Sequence, residues 1–345
     1  MRAFAVAAAC SLVLATANPV AAYYVRIKGK PHERMTAAAI DCLARGQVYP
    51  IKCTLPTAAT PLRKQPLHGR KYLRETRWPD DPTRQSSTTG LLKFLANVGA
   101  DRCLNYVGRE FFAGLMCNSH YGTLQFFHAM SPSAGSEAFE PTRTMMLEWT
   151  ALAFRVSTGE VKSSAPFCTT ARQYGAAGDA LAPAAFPFCD RWTVASLFGQ
   201  TCSFIFNSTS CTQNNSEDRI RRAALGALLH MIQDSFSRSH VGRGESMPNG
   251  PFDQAVVRCQ PVKVFYHYSL EQKTNHPNAD LEPAFDQSCD SEGSVDPITA
   301  SARMIWLAEH RCDAYWAVDL MSVGVVDSRP TRAPDVRQCR TPITS

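Results

Sequence analysis

The stretch ALGALLHMIQDSFSRSH, residues 224–240, decides how this chain is read. It is strongly apolar and free of proline, which predicts a buried helix. His230 and Asp234 lie four apart in it, so a helix would project both from one face. His240 arrives just past the helix end, completing His-x3-Asp-x5-His. Imidazole and carboxylate together suit a borderline cation such as Zn²⁺. The competing reading of the triplet is a helix with a satisfied core histidine and an ordinary solvated aspartate.

Outward from this stretch, helical periodicity recurs. Apolar residues near a period of 3.6 mark residues 32–46, 88–99, 141–156, 217–236 and 296–321. Pro31, the Ser216-Glu217-Asp218 run and the Asp296-Pro297 pair are start signals for three of these. Alternating β-branched runs are few and short. Residues 53–87, 157–187, 200–216 and 241–259 read as long loops rich in Pro, Ser, Asn and Cys. The expected fold is all-α, a single helical domain over residues 23–345 with long disulfide-stapled loops.

The N-terminus predicts export. Arg2, an apolar run from Ala3 to Ala15 and the small-residue triplet Val20-Ala21-Ala22 form a signal-peptide pattern over residues 1–22. The apolar run is too short to anchor in a bilayer, and no other stretch has the length of a membrane span. Cys10 would leave with the leader, and the other twelve of the 13 cysteines are scattered with no CxxC pair. In a secreted or periplasmic protein that pattern reads as disulfides rather than a zinc finger, with Cys42–Cys53 and Cys103–Cys117 as local pairs. The formal charge of +6 is a slight basic excess, and no charge run resembles a nucleic-acid arm.

Further candidate ligands flank the central triplet. His32 opens the first predicted helix. Asp80 and Asp81 sit between prolines in the turn TRWPDDP, a place where carboxylates often serve only the turn. His120 and His128 are eight apart, about two helical turns, so a helix would turn them the same way. Downstream, His267 and Glu271 form His-x3-Glu, while His276 and Asp280 form His-x3-Asp with Pro277 interrupting any helix. His68 and His310 have no acidic partner at helical spacing.

The order of these residues resembles the zinc-dependent phospholipase C family, whose helical fold is shared by the single-strand-specific zinc nucleases. The resemblance runs from about Tyr23 to Glu271, and its specific part is His230, Asp234 and His240. It implies three zinc ions. The amine and carbonyl of Tyr23 with His32 would hold one. Asp234 would bridge that zinc to a second, completed by Asp81, His128 and His230. His240, His267 and Glu271 would hold the third. His120 is the alternative to His128, and His276/Asp280 the alternative to His267/Glu271. This chain differs from the family in Tyr23 where the mature chain usually begins with Trp, in Arg238 where Pro is common, and in a longer interval between Asp81 and His128.

The resemblance also implies the chemistry. Two metals clamp the entering and leaving oxygens of a phosphodiester, and a metal-bound hydroxide attacks phosphorus. Asp81 would orient that water or take its proton. The substrate would be phospholipid at a membrane surface, cleaved by a monomer. The alternatives are a nuclease acting on single strands, which the His-x3-Glu ending disfavours, and an exported binding protein without catalysis. Residues 272–345 would hold one helix and a Pro/Arg-rich tail, too little for a separate lipid-binding sandwich.

Overall fold

The computed structural model describes residues 31–46, 49–53, 67–81, 111–135, 138–185, 191–205, 208–244, 259–268 and 295–340. Of these, 60% are helical, and the named strands form two small two-stranded sheets. The chain is therefore mostly helical. In order come α1 (Pro31–Leu43), α2 (Leu67–Glu75), α3 (Phe111–Tyr121), a 3₁₀ turn (Gln125–His128), α4 (Phe139–Thr158), α5 (Phe167–Ala171), α6 (Gly175–Ala185) and α7 (Val194–Phe198). The hairpin β1 (Gln200–Ile205) and β2 (Ser208–Gln213) leads into α8 (Glu217–Asp234). The second hairpin pairs β3 (Val241–Arg243) with β4 (Val262–Phe265). Then α9 (Pro297–Glu309) and α10 (Ala314–Asp319) follow, the latter running into a π-helical turn over Leu320–Val326.

Helix α8 is the axis of the fold. Glu217 and Asp218 place negative charge at its positive N-terminal end. From Ala223 to Asp234 every side chain is buried, as expected for a helix enclosed on all sides. It packs against α2, α4 and α9, and α9 in turn packs on α1. Beside it lies an aromatic core: Trp78, Phe127, Trp149 and Phe198 are all buried, with Trp78 4.9 Å from Phe198 and Phe127 4.5 Å from Trp149 between ring centroids. Trp78 is two residues from Asp80, and Phe127 adjoins His128. Burying these two rings 5.5 Å apart therefore brings the backbone of both polar residues to α8.

Several expectations hold and some are corrected. Helix α1 starts at Pro31, and Asp296 caps α9 by accepting from the Ile298 and Thr299 amides at 2.9 and 2.8 Å. The region expected as one helix over 296–321 breaks at His310–Asp313. There Arg311 adopts a φ of 48°, Cys312 bonds to Cys339, and Asp313 starts α10 by capping the Tyr315 amide at 2.8 Å. The expected loop at 157–187 contains α5 and α6. Their alanine-rich sequence favours helix but offers few large apolar residues to show a period. The expected loop at 200–216 is largely the β1–β2 hairpin, whose strands are mostly Ser, Thr, Cys and Gln with large apolar residues only at Phe204 and Ile205. Cys42 bonds to Cys53 as predicted. Cys103, the leader and the predicted helix over 88–99 lie outside the described residues. Among those described, no helix is long and apolar enough to cross a membrane.

Candidate metal centre

Asp234, on the last turn of α8, is fully buried and draws four imidazoles around it. Its Oδ2 lies 3.0 Å from His230 Nε2, 3.0 Å from His128 Nδ1 and 3.6 Å from His240 Nδ1. Its Oδ1 lies 3.3 Å from His32 Nε2. The helical i, i+4 spacing delivers His230; α1 delivers His32, whose ring stacks on His230 at 3.8 Å. The 3₁₀ turn delivers His128, and the turn leading into β3 delivers His240.

Hydrogen bonds around the cluster fix which ring nitrogens carry protons. His230 Nδ1 donates to the Thr76 carbonyl at 2.9 Å. His32 Nδ1 donates to Gln233 Oε1 at 2.8 Å, and the same amide donates from Nε2 to Thr36 Oγ1 at 2.9 Å, which sets its orientation. His240 Nδ1 donates to the His128 carbonyl. His240 also turns Nδ1 toward Asp234, whereas His230 and His32 each send Nδ1–H to an oxygen on the far side of the ring and turn Nε2 to Asp234. That is the arrangement by which outer partners orient metal-binding histidines.

Burial sets the charges. It pushes His230 down to about 4, against the attraction of Asp234, so the ring is neutral at pH 7. His128 is likewise pushed down by burial. Burial also works to raise Asp234, but the surrounding His230, His240 and His32 outweigh it and hold the carboxylate well below its usual range. His32 is raised on balance: burial opposes its charge, and Asp234 more than compensates. Neutral His230 therefore presents a lone pair to an ionised oxygen at 3.0 Å, a repulsive contact unless a proton or cation lies between them. His128 Nδ1, 3.1 Å from His230 Nε2, can supply one proton to both. His128 Nε2 and Asp80 Oδ1 are buried and make no hydrogen bond among the described residues. Such atoms are costly to bury unless something occupies the space before them.

Two sets of donor atoms are close enough to share an ion. His32, His230 and Asp234 form one, and Asp80, His120 and His128 the other, with all donor atoms in each within 4.8 Å of one another. All six residues are buried. The structure thus brings together both His120 and His128, expected as alternatives. His120 ends α3 while His128 closes the following 3₁₀ turn, and their ring centroids are 4.9 Å apart. From the PDD turn it is Asp80 that approaches His230 Nε2, at 3.6 Å, and burial pushes its carboxyl up to about 6. Asp81 is buried beside it. The turn offers both carboxylates and the resemblance names Asp81; the structure adds Asp80, which belongs to a donor set with His120 and His128. His267 is buried two residues beyond β4, with Nε2 3.2 Å from Gln125 Nε2. Tyr23, Glu271, His276 and Asp280 lie outside the described residues.

No protein-family model matches the chain, and neither a curated protein nor a solved structure matches it.

Proposed function

We propose that this chain is an exported, zinc-dependent phosphodiester hydrolase of the phospholipase C type. One observation carries the metal part: two buried sets of imidazole and carboxylate donors, each with its ligand atoms within 4.8 Å of one another, lie side by side around Asp234. One cation would be shared by His32, His230 and Asp234, and a second by Asp80, His120 and His128, where His128 Nε2 and Asp80 Oδ1 are buried atoms with no hydrogen bond among the described residues. Nitrogen-rich donors with carboxylates suit zinc better than calcium or magnesium. Disulfides fit an oxidising compartment, in keeping with the leader read in the sequence.

Bound zinc would supply Lewis acidity, lowering the pKa of water and neutralising charge on phosphate oxygens. The chain's own residues would do the rest. Asp234 holds both donor sets in register. Thr76 and Gln233 hold His230 and His32 in the tautomer that keeps Nε2 for ligation. Asp80, whose carboxyl burial keeps partly protonated near neutrality, is the group suited to take a proton from an attacking water. The choice of phospholipid rests on the ordered resemblance from Tyr23 to Glu271, including its His-x3-Glu ending.

The test is elemental analysis of the purified mature protein with disulfides intact, alongside assays of phosphatidylcholine and single-stranded DNA with and without chelator. Bound zinc with chelator-sensitive release of phosphocholine is expected. Zinc with cleavage of DNA alone makes it a nuclease. A folded protein that takes up no zinc overturns the metal centre.

A further inference from the structure

Behind the His32–His230–Asp234 set, buried side chains from four parts of the fold share one run of hydrogen bonds. They are Thr36 on α1, Thr76 just past α2, Gln233 on α8 and Ser301 on α9. The direction of the run is set at its α2 end. A carbonyl only accepts, so Thr76 Oγ1 spends its single proton on the Tyr72 carbonyl at 3.0 Å. Towards Thr36 Oγ1, 3.2 Å away, Thr76 can then only accept. The Thr36 hydroxyl therefore gives its proton to Thr76 and turns a lone pair to Gln233 at 2.9 Å. An amide oxygen in that place would meet lone pair to lone pair. Gln233 thus presents Nε2 to Thr36 and Oε1 to His32. His32 Nδ1, 2.8 Å from Oε1, must carry a proton, and the opposite nitrogen is the one turned to Asp234.

We propose that Thr36 is a positioning residue for the metal held by His32, His230 and Asp234. Thr36 belongs to neither donor set, yet its hydroxyl holds the Gln233 amide one way round. The amide in turn keeps Nε2 of His32 for the ion. Without that hydroxyl the amide can turn over and set its NH₂ against His32. Nδ1 then becomes the acceptor, and the proton of the neutral ring moves to Nε2, where the metal would bind. Ser301 Oγ, 3.4 Å from Gln233 Nε2, does not replace Thr36. Its proton is not committed elsewhere among the described residues, so it serves either amide orientation. Thr76 also supplies the carbonyl that takes the His230 proton, so one residue orders both imidazoles of the set. The inference rests on the metal reading above and adds to it a control residue outside the donor sets.

Thr36→Val removes the hydroxyl at nearly constant shape, and Thr36→Ser keeps it. Wild type and both variants, stripped of metal, are titrated with Zn²⁺, and stepwise affinities are read by equilibrium dialysis with elemental analysis. One step should weaken by about 10-fold or more in Thr36→Val, the range that outer partners of metal-binding histidines command, while Thr36→Ser stays within about twofold of wild type. In a His32→Asn background, Thr36→Val should cost nothing further, as expected of two residues acting along one path. Wild-type affinity in Thr36→Val, equal loss in Thr36→Ser, or a full further loss on top of His32→Asn each overturns the proposal. A second measurement needs no variant and decides the matter if Thr36→Val does not fold. Neutron diffraction from the deuterated wild type should show the Thr36 hydroxyl deuteron aimed at Thr76 and the Gln233 ND₂ group aimed at Thr36. A Thr76 deuteron aimed at Thr36, or a reversed amide, overturns the proposal even if the protein binds zinc. A folded wild type that takes up no zinc ends the metal reading and the proposal with it.

Discussion

His230 on α8 and His267 past the end of β4 are both buried histidines, yet their hydrogen bonds run in opposite directions. On the α8 side, the Thr76 carbonyl takes a proton from His230 and leaves its inward nitrogen bare, while Gln233 takes a proton from His32. Past the end of β4, an amide gives a proton to His267. Residue type is the same and burial is similar, so hydrogen-bond polarity separates a ring whose inward nitrogen is bare from one whose lone pair is already engaged. The α8 side also carries Asp234, the one carboxylate that four rings approach.

Asp234→Asn should therefore have the largest effect. It keeps the shape and removes the charge that both donor sets share. Zinc affinity should fall by more than about 100-fold, beyond the range of a single outer partner, and chelator-sensitive hydrolysis should vanish. Elemental analysis of the folded variant checks this. Retained zinc would mean that Asp234 is only a buried counter-ion to His32.

The next effect is a pH dependence of the metal-free protein. His230 falls from 6.5 to about 4 on burial, so the unfolded ring takes up a proton that the folded ring refuses. Its contribution is complete above pH 6.5 and is lost as pH falls towards 4. Asp80 is raised from 3.8 to about 6, so its contribution is complete below 3.8 and is lost as pH rises through 6. Each is worth on the order of 3 kcal/mol, and they oppose one another across one window. His128, also pushed down by burial, sides with His230. Wild type should show a shallow rise in stability from about pH 4 to 6.5, and Asp80→Asn a steep one of up to roughly 3 kcal/mol. Urea denaturation of the chelated proteins at both ends of the window reads the difference. Parallel profiles would show that Asp80 is not held protonated in the fold.

Much of the α8 side was legible in the sequence. The apolar run without proline gave the helix, and the four-residue spacing gave the His230–Asp234 face. Capping signals at Pro31 and Asp296 located two more helices. That Asp80 joins His120 and His128 was not legible, because neighbouring carboxylates in a turn differ only in which way packing aims them. Nor was the joining of His120 with His128, since it depends on α3 ending and a 3₁₀ turn reversing the chain between them. The polarity of His267 was invisible for a deeper reason. It is set by Gln125, 142 positions away in sequence, whose own orientation depends on two backbone groups.

The smallest effect expected is a contrast between two glycines, one on each side of the centre. Gly226 lies one helical turn before His230, where α8 meets the end of α2. A Cβ there would stand 2.3 Å from the Glu75 carbonyl carbon and oxygen and 2.8 Å from the Thr76 nitrogen. That backbone leads to the Thr76 carbonyl which holds His230, so α2 cannot yield without disturbing the ring. Gly226→Ala should cost about 1–3 kcal/mol by overpacking and loosen zinc by about 10-fold through its outer partner. Gly244, in the turn after β3, has a φ of +64° and would place a Cβ 3.1 Å from the Gln260 side chain. Gly244→Ala should cost about 1–2 kcal/mol through left-handed strain and leave zinc binding unchanged. Equal loss of zinc from both variants would mean that global stability, not the Thr76–His230 bond, governs the centre. Loss confined to Gly226→Ala would tie metal affinity to the close approach of α2 and α8.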